Sequence, residues 1–134
     1  MSLPLEDRVA LEALCYRYNV ATDERDAEAY VALWLPDGRW DGPLGCYQGH
    51  AALRRLIAEL AASEAFAGIR HWPNNIVIEG AGDHATVVLD NLLVQATPAG
   101  PRLASLSRSE ASLVKLDGRW LFSERTIRIA EPVS

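Results

Sequence analysis

Apolar residues recur every three or four positions through the first half of the chain and alternate with polar ones after Gly68. In "LEDRVALEALCYRYNVAT", Leu5, Val9, Ala13, Tyr16 and Val20 fall at helical spacing, and Leu11, Leu14, Cys15 and Tyr18 widen that stripe. This predicts an amphipathic helix over residues 5–22. "DERD" interrupts the pattern, and Asp26 is placed to cap a short second helix, "AEAYVALWL", because its carboxylate accepts from free backbone N–H groups. Pro36-Asp37-Gly38 is expected to stop that helix and turn the chain. "RWDGPLGCYQG" reads as short strand and turn. A third helix is predicted over residues 50–64, with Leu53, Leu56, Ile57, Leu60 and Ala61 on one face.

From "IRHWPNNIVIEG" onward the period is that of strands. "HATVVLDNLLVQAT", "RLASLSRSEASLVKL" and "RWLFSERTIRIA" follow at hairpin spacing, and Asp117-Gly118 is a strong hairpin signal. On "RLASLSRSEASLVKL", Leu103, Ser105, Ser107, Ser109 and Ala111 are expected on one side. Helices first and an antiparallel meander second define an α+β fold, since a doubly wound fold would alternate them. A curled sheet wrapped against helices encloses a cone-shaped cavity. The 134 residues, without repeat or linker, make one domain.

Composition narrows the partners. The formal net charge is -5 and no basic run exceeds Arg54-Arg55, which disfavours nucleic acid. No stretch approaches the ~20 apolar residues of a membrane span, and the N-terminal stretch carries acids and arginines through its apolar stripe, unlike a signal peptide. A cytoplasmic location is the expectation. Cys15 and Cys46 are too few for a disulfide framework. His50, His71 and His84 form no HxH or HExxH pattern, so no metal is expected. Neither GxSxG, P-loop nor GxGxxG is present.

The residues with chemistry to offer are few. His71 opens a strand, and an imidazole titrates near operating pH, which suits a general acid or base. It either faces water at the strand start or enters a pocket. Asp23 closes the first helix, where the macrodipole disfavours a carboxylate. Either it belongs to a polar turn or it is placed there for another purpose. Tyr16 lies nearly two turns before Asp23 and Tyr18 about 140° round, and either phenol could donate to a developing oxyanion. Trp34, Trp40, Phe66 and Trp72 fall in the half of the chain expected at a cavity mouth, and together suit a flat or polycyclic apolar ligand. Strand parity puts His71, Pro73, Asn75 and Val77 on one face, with Val77 in the core. Asn91, among aliphatics, needs partners if buried, while Asp90 points the other way. Ser107 and Ser109 share a face that lines a cavity or meets water. At most one of Arg125 and Arg128 faces inward.

The layout of "YRYNVATDERDAEAYVALW", "GHAAL", "RHWPNN" and "SRSEASLVKLDGRWLFSER" resembles the SnoaL-like branch of the NTF2-like superfamily, which includes relatives of scytalone dehydratase and bile-acid dehydratase. The resemblance covers nearly the whole chain. It implies a cone-shaped α+β barrel, a pocket without cofactor, and a homodimer formed through the sheet. It also implies an aspartate–histidine dyad, matched here by Asp23 and His71, with Tyr18 as the family tyrosine and Asn74-Asn75 as the amide-bearing segment. The chain departs from the pattern in its fifth strand, where Ser109 and Ala111 stand in the places of a tyrosine and an acid.

The expected function is therefore a cofactor-independent lyase or isomerase, dehydratase-like, acting on a small apolar cyclic hydroxy- or keto-compound. Asp23, His71 and Tyr18 are its expected catalytic residues. Trp40, Trp72, Asn75, Phe66, Asn91 and Ser109 are expected to contact substrate. The competing expectation is a non-catalytic binding protein or structural subunit on the same fold.

Overall fold

The computed structural model describes residues 2–133. Helix α1 spans Leu5–Asp23, α2 Ala27–Val31 and α3 His50–Ala62, with a 3-10 turn at Glu64–Phe66. Strands β1 (Trp34–Gly42), β2 (Gly45–Gln48), β3 (Ile69–Ala81), β4 (His84–Thr97), β5 (Gly100–Leu116) and β6 (Arg119–Ile129) form one sheet in the order β2-β1-β6-β5-β4-β3. Every neighbouring pair is antiparallel except β1 with β6. This is the expected α+β architecture, with the helices on one face of a mostly antiparallel sheet. Among the described residues no helix is long and apolar enough to cross a membrane.

The face that α1 buries differs from the expected one. Leu11, Leu14, Cys15, Tyr18 and Thr22 are buried, whereas Leu5, Val9, Tyr16 and Val20 are exposed. Two apolar stripes run along this helix, and the one presented to the sheet carries the core. The second helix is capped by Asp26, which accepts from the Ala29 backbone N–H at 3.1 Å. It ends at Val31 rather than running to residue 35. Pro36-Asp37-Gly38, expected as a turn, lies inside β1. The register with β6 slips between Trp34 and Arg39, and this irregularity accommodates a proline that cannot donate to the ladder. Gly38 is required there, since a Cβ would lie 2.5 Å from the Trp34 ring.

Strand β4 alternates as read: Ala85, Val87, Leu89, Asn91 and Leu93 are buried. Two bulges reverse the parity elsewhere. One falls between Asn74 and Val77 on β3, where Asn75 adopts φ 52°, and it leaves Val77 exposed while Ile76 and Ile78 pack on the core. The other lies where Leu93 and Val94 meet β5, and it turns Leu103 outward, 70% exposed. Asp117 and Gly118 take φ 50° and 78°, as a two-residue hairpin turn of the primed type requires. The core lies between the helices and the concave face of the sheet, around Leu14, Trp34, Leu53, Leu56, Leu89, Leu113 and Phe122.

Candidate active site

Above that core the concave face and the helices leave a cavity of about 330 Å³. Tyr18 and Thr22 of α1, Tyr30 of α2, Trp40 of β1, and Leu56, Ile57 and Leu60 of α3 line one side. His71, Asn91, Leu93, Ser105, Ser107 and Ile127 line the sheet side, and exposed Pro43, Leu44 and Arg102 border the opening. Most of this wall is hydrocarbon, interrupted by a few polar groups.

His71 reaches the cavity because β3 begins just before it. Gly68, at φ 73°, turns the chain into the strand, and a Cβ there would lie 2.9 Å from the Ala96 carbonyl oxygen. The last residue of α1 meets β3 at this point. The Asp23 carboxylate accepts from the His71 backbone N–H at 3.0 and 3.2 Å and lies 2.6 Å from Nδ1 of the ring. Both side chains are about one-fifth exposed. An ionised Asp23 accepts the Nδ1 proton, which fixes the tautomer that leaves Nε2 with its lone pair.

Deeper in, Trp40 Nε1 donates to the Tyr18 hydroxyl at 3.1 Å, and the Tyr18 and Tyr30 hydroxyls share a hydrogen bond at 3.0 Å. Two phenols carry two hydroxyl hydrogens and their mutual bond uses one, so one remains for a ligand. Burial, reinforced by the neighbouring Tyr18, pushes the Tyr30 phenol well above its ordinary pKa and keeps it protonated. Arg125 lies beneath Tyr18, with its guanidinium carbon 3.9 Å from the ring centroid. It is 1% exposed, belongs to no ion pair among the described residues, and its Nε has no partner. Ala111 is its cross-strand neighbour on β5. The acid that the resemblance would place at 111 would therefore face this guanidinium. Its absence leaves only aromatic ring faces to hold the cation.

On the sheet wall Asn19 Nδ2 donates to Asn91 Oδ1 at 3.1 Å, which leaves the Asn91 amide nitrogen free beside the cavity. The Asn19 and Ser105 side-chain oxygens are buried without a protein partner. Cys15 is buried, and desolvation raises its thiol pKa, so it packs as an apolar residue. Among the described residues no three His, Cys, Asp or Glu side chains converge as a metal-ligand set.

Of the expected contact residues, Trp40, Phe66 and Asn91 line the cavity, as do Tyr18 and His71. Asp23 stands behind His71. Three expectations are corrected. Trp72 is 61% exposed on the outer face, because it neighbours an inward residue on the same strand. Asn75 is exposed, set in the bulge with its amide 3.5 Å from Asp90. Ser109 is buried in the core below the cavity floor, with no partner for its hydroxyl. Asn19, Tyr30 and Arg102 escaped the sequence reading, and Ser105 was placed on the right face of its strand without being singled out. Asn19 carried a usable signal, lying one helical turn before Asp23 on α1. Tyr30 carried one in its position on the second helix, facing the first.

The sequence matches the SnoaL-like domain over residues 4–126. The chain belongs to the SnoaL-like family. No curated protein matches it. Among solved structures it is similar to a protein of unknown function with a cystatin-like fold from Nostoc punctiforme, at 26% identity over 99% of this chain and 98% of that one, TM-score 0.86. It is also similar to an NTF2-like protein from Novosphingobium aromaticivorans, at 24% identity over 97% and 86%, TM-score 0.84. A third is the hexachlorocyclohexane dehydrochlorinase LinA-type3 from Novosphingobium barchaimii, at 20% identity over 95% and 88%, TM-score 0.78. Likeness at the lower identities establishes the fold, and a fold hosts many reactions.

Proposed function

We propose that this SnoaL-like chain is a cofactor-independent lyase or isomerase acting on a small apolar cyclic hydroxy- or keto-compound. One observation carries the reading: an imidazole at the wall of an apolar cavity, bonded at Nδ1 to a carboxylate 2.6 Å away. His71 Nε2 takes a proton from the carbon α to a carbonyl. The electron pair of the broken C–H bond moves through a new C=C bond onto the carbonyl oxygen. The free phenol hydrogen of the Tyr18–Tyr30 pair, or the Asn91 amide, donates to that oxygen. Asp23 stays ionised and holds the imidazolium. The proton then passes to a departing hydroxyl, which leaves as water, or to another carbon. The dehydrochlorinase of the same fold is named for an elimination from an apolar ring, which supports the reaction class. A cavity of about 330 Å³ lies at the small end for ligand sites, which suits one or two fused rings.

Proton exchange tests the reading without the natural substrate. A panel of ring ketones, beginning with 2-tetralone, is incubated with the protein in D₂O and followed by NMR. Exchange of the α-protons is expected to exceed the buffer rate, and His71→Ala should lower the enhancement by about 10²–10⁴-fold. Equal rates for the two proteins would reject the role of His71. A second reading, a non-catalytic binding or structural subunit, draws support from Ser109 and Ala111, which offer no ionisable group where the family pattern has a tyrosine and an acid. That reading expects ligand binding with exchange at the buffer rate.

Homodimer formation across the outer face of the sheet belongs to the same proposal. Trp72, Leu92 and Leu106 lie in one cross-strand row there, and Trp72 and Leu106 are exposed. Trp72→Asp should shift sedimentation toward monomer.

A further inference from the structure

An imidazole, His71, and a guanidinium, Arg102, line the cavity. Arg102 has no part in the acid–base reading, and it belongs to no ion pair among the described residues. It is nevertheless held. Its Nε donates to Gln95 Oε1 at 2.9 Å, and Gln95 Nε2 donates in turn to the Ala67 carbonyl at 2.9 Å. The amide is thereby oriented with its oxygen toward the arginine. The segment carrying Ala67 is pinned from its other side by Arg25, whose guanidinium donates to the Thr22 and Phe66 carbonyls at 2.6 and 2.7 Å. Phe66 is itself a wall of the cavity. The arrangement orients the Arg102 side chain through Nε, and among the described residues neither terminal nitrogen has a partner, which leaves both for two parallel hydrogen bonds.

Register places this cation relative to His71. Ile69, Gln95 and Arg102 share one cross-strand row, and His71, Leu93 and Ser105 share the next inward row. With about 4.8 Å between strands and 3.3 Å per residue, the Cα atoms of His71 and Arg102 are separated by roughly 12 Å across the cavity. A fork of two N–H donors fits a planar oxyanion such as a carboxylate.

We propose that Arg102 makes this cavity selective for ring compounds bearing an oxyanionic substituent, which it binds at the mouth while the ring lies against Phe66, Leu60 and Leu93. The proposal rests on the reading above in taking the occupant of this cavity as the substrate. Its test uses no chemistry, so an inactive His71 leaves it standing.

Two fluorescent probes share one ring system: 1-anilinonaphthalene-8-sulfonate carries a sulfonate, and N-phenyl-1-naphthylamine does not. In wild type the sulfonate probe should bind more tightly than the neutral one at low salt. Arg102→Gln should weaken the sulfonate probe by about fivefold and leave the neutral probe within about twofold. The difference should shrink in 1 M salt, where the screening length falls to about 3 Å. Arg119→Gln changes the net charge equally, away from the cavity, and should alter neither. A ratio of the two affinities that Arg102→Gln leaves unchanged, or that Arg119→Gln lowers as much, would overturn the proposal.

Discussion

The two faces of the central sheet carry polar residues at adjacent positions and treat them differently. On the outer face Asp90 accepts from Arg108 at 3.0 Å, and the arginine side chain is 64% exposed. On the inner face the neighbours Asn91 and Ser107 are buried against hydrocarbon, with Arg125 on β6 almost fully enclosed. Water satisfies the outer groups whether or not they pair. The inner ones are desolvated, and each is a cost to folding unless a partner offsets it. Buried polar groups gather around one cavity, some with no protein partner, and there the fold gives up stability that an apolar lining would have kept.

The sharpest way to break this contrast is at the inner dyad. Asp23→Asn should reduce α-proton exchange by on the order of 10²-fold, because an amide does not select the same ring tautomer, and the circular-dichroism melt should keep its shape. Combining it with His71→Ala should add little further loss, since the two act as one unit. An additive loss in the same exchange assay would separate them.

Next in size is the apolar floor beneath the cavity. Phe122 is fully buried and packs on Trp34 and Tyr18. Phe122→Ala should cost about 3–5 kcal/mol in urea unfolding. A cost below about 1 kcal/mol would mean that this part of the inner face is not close-packed.

A third test uses acid. Asp7 of α1 accepts from Trp120 Nε1 at 3.1 Å and Lys115 Nζ at 3.0 Å. These bonds, Trp120 first, hold its carboxyl below the ordinary aspartate range. A depressed folded-state pKa means that the unfolded chain binds the proton more readily. The stabilisation is complete above the unfolded value, near 3.9, and is lost as pH falls through the folded value. Asp7→Asn should therefore flatten the acid limb of a urea-midpoint profile below about pH 5. An unchanged limb would remove Asp7 from the account. The smallest effect belongs to the outer face: Arg108→Ala should change stability by less than about 1 kcal/mol, and less still at high salt.

Some of these features were legible in the order of residues, for local reasons. Asp26 caps its helix and Asp117-Gly118 makes its hairpin because both act within a few residues. The change from a 3.6-residue period to alternation after Gly68 gave the α+β order without any tertiary knowledge. The motif order pointed to the pairing of Asp23 with His71, although 48 positions separate them.

Parity was where local reading failed. With His71 inward, Trp72 must point outward on the same strand, so both cannot line one cavity. Bulges after Asn74 and at Leu93/Val94 then reversed the faces of Asn75, Val77 and Leu103. Pro73, which cannot donate to a ladder, marks the start of β3 as an edge or a bulge, but nothing in the composition announces the second irregularity. The same holds for the choice between two apolar stripes on α1, which only the sheet it packs against could make.

The sequence by itself determined the order of helices and strands, the Asp26 cap and the Asp117-Gly118 hairpin, because periodicity, caps and turns are short-range properties of the chain, and the order of its motifs pointed to the family. The tertiary structure alone decided which side of each strand meets the cavity, that Asn19 holds Asn91, that Arg125 lies beneath Tyr18 with no carboxylate partner among the described residues, and that Arg102 stands at the opening. Those facts depend on register and bulges between strands distant in the chain, where a shift of one residue exchanges inside for outside.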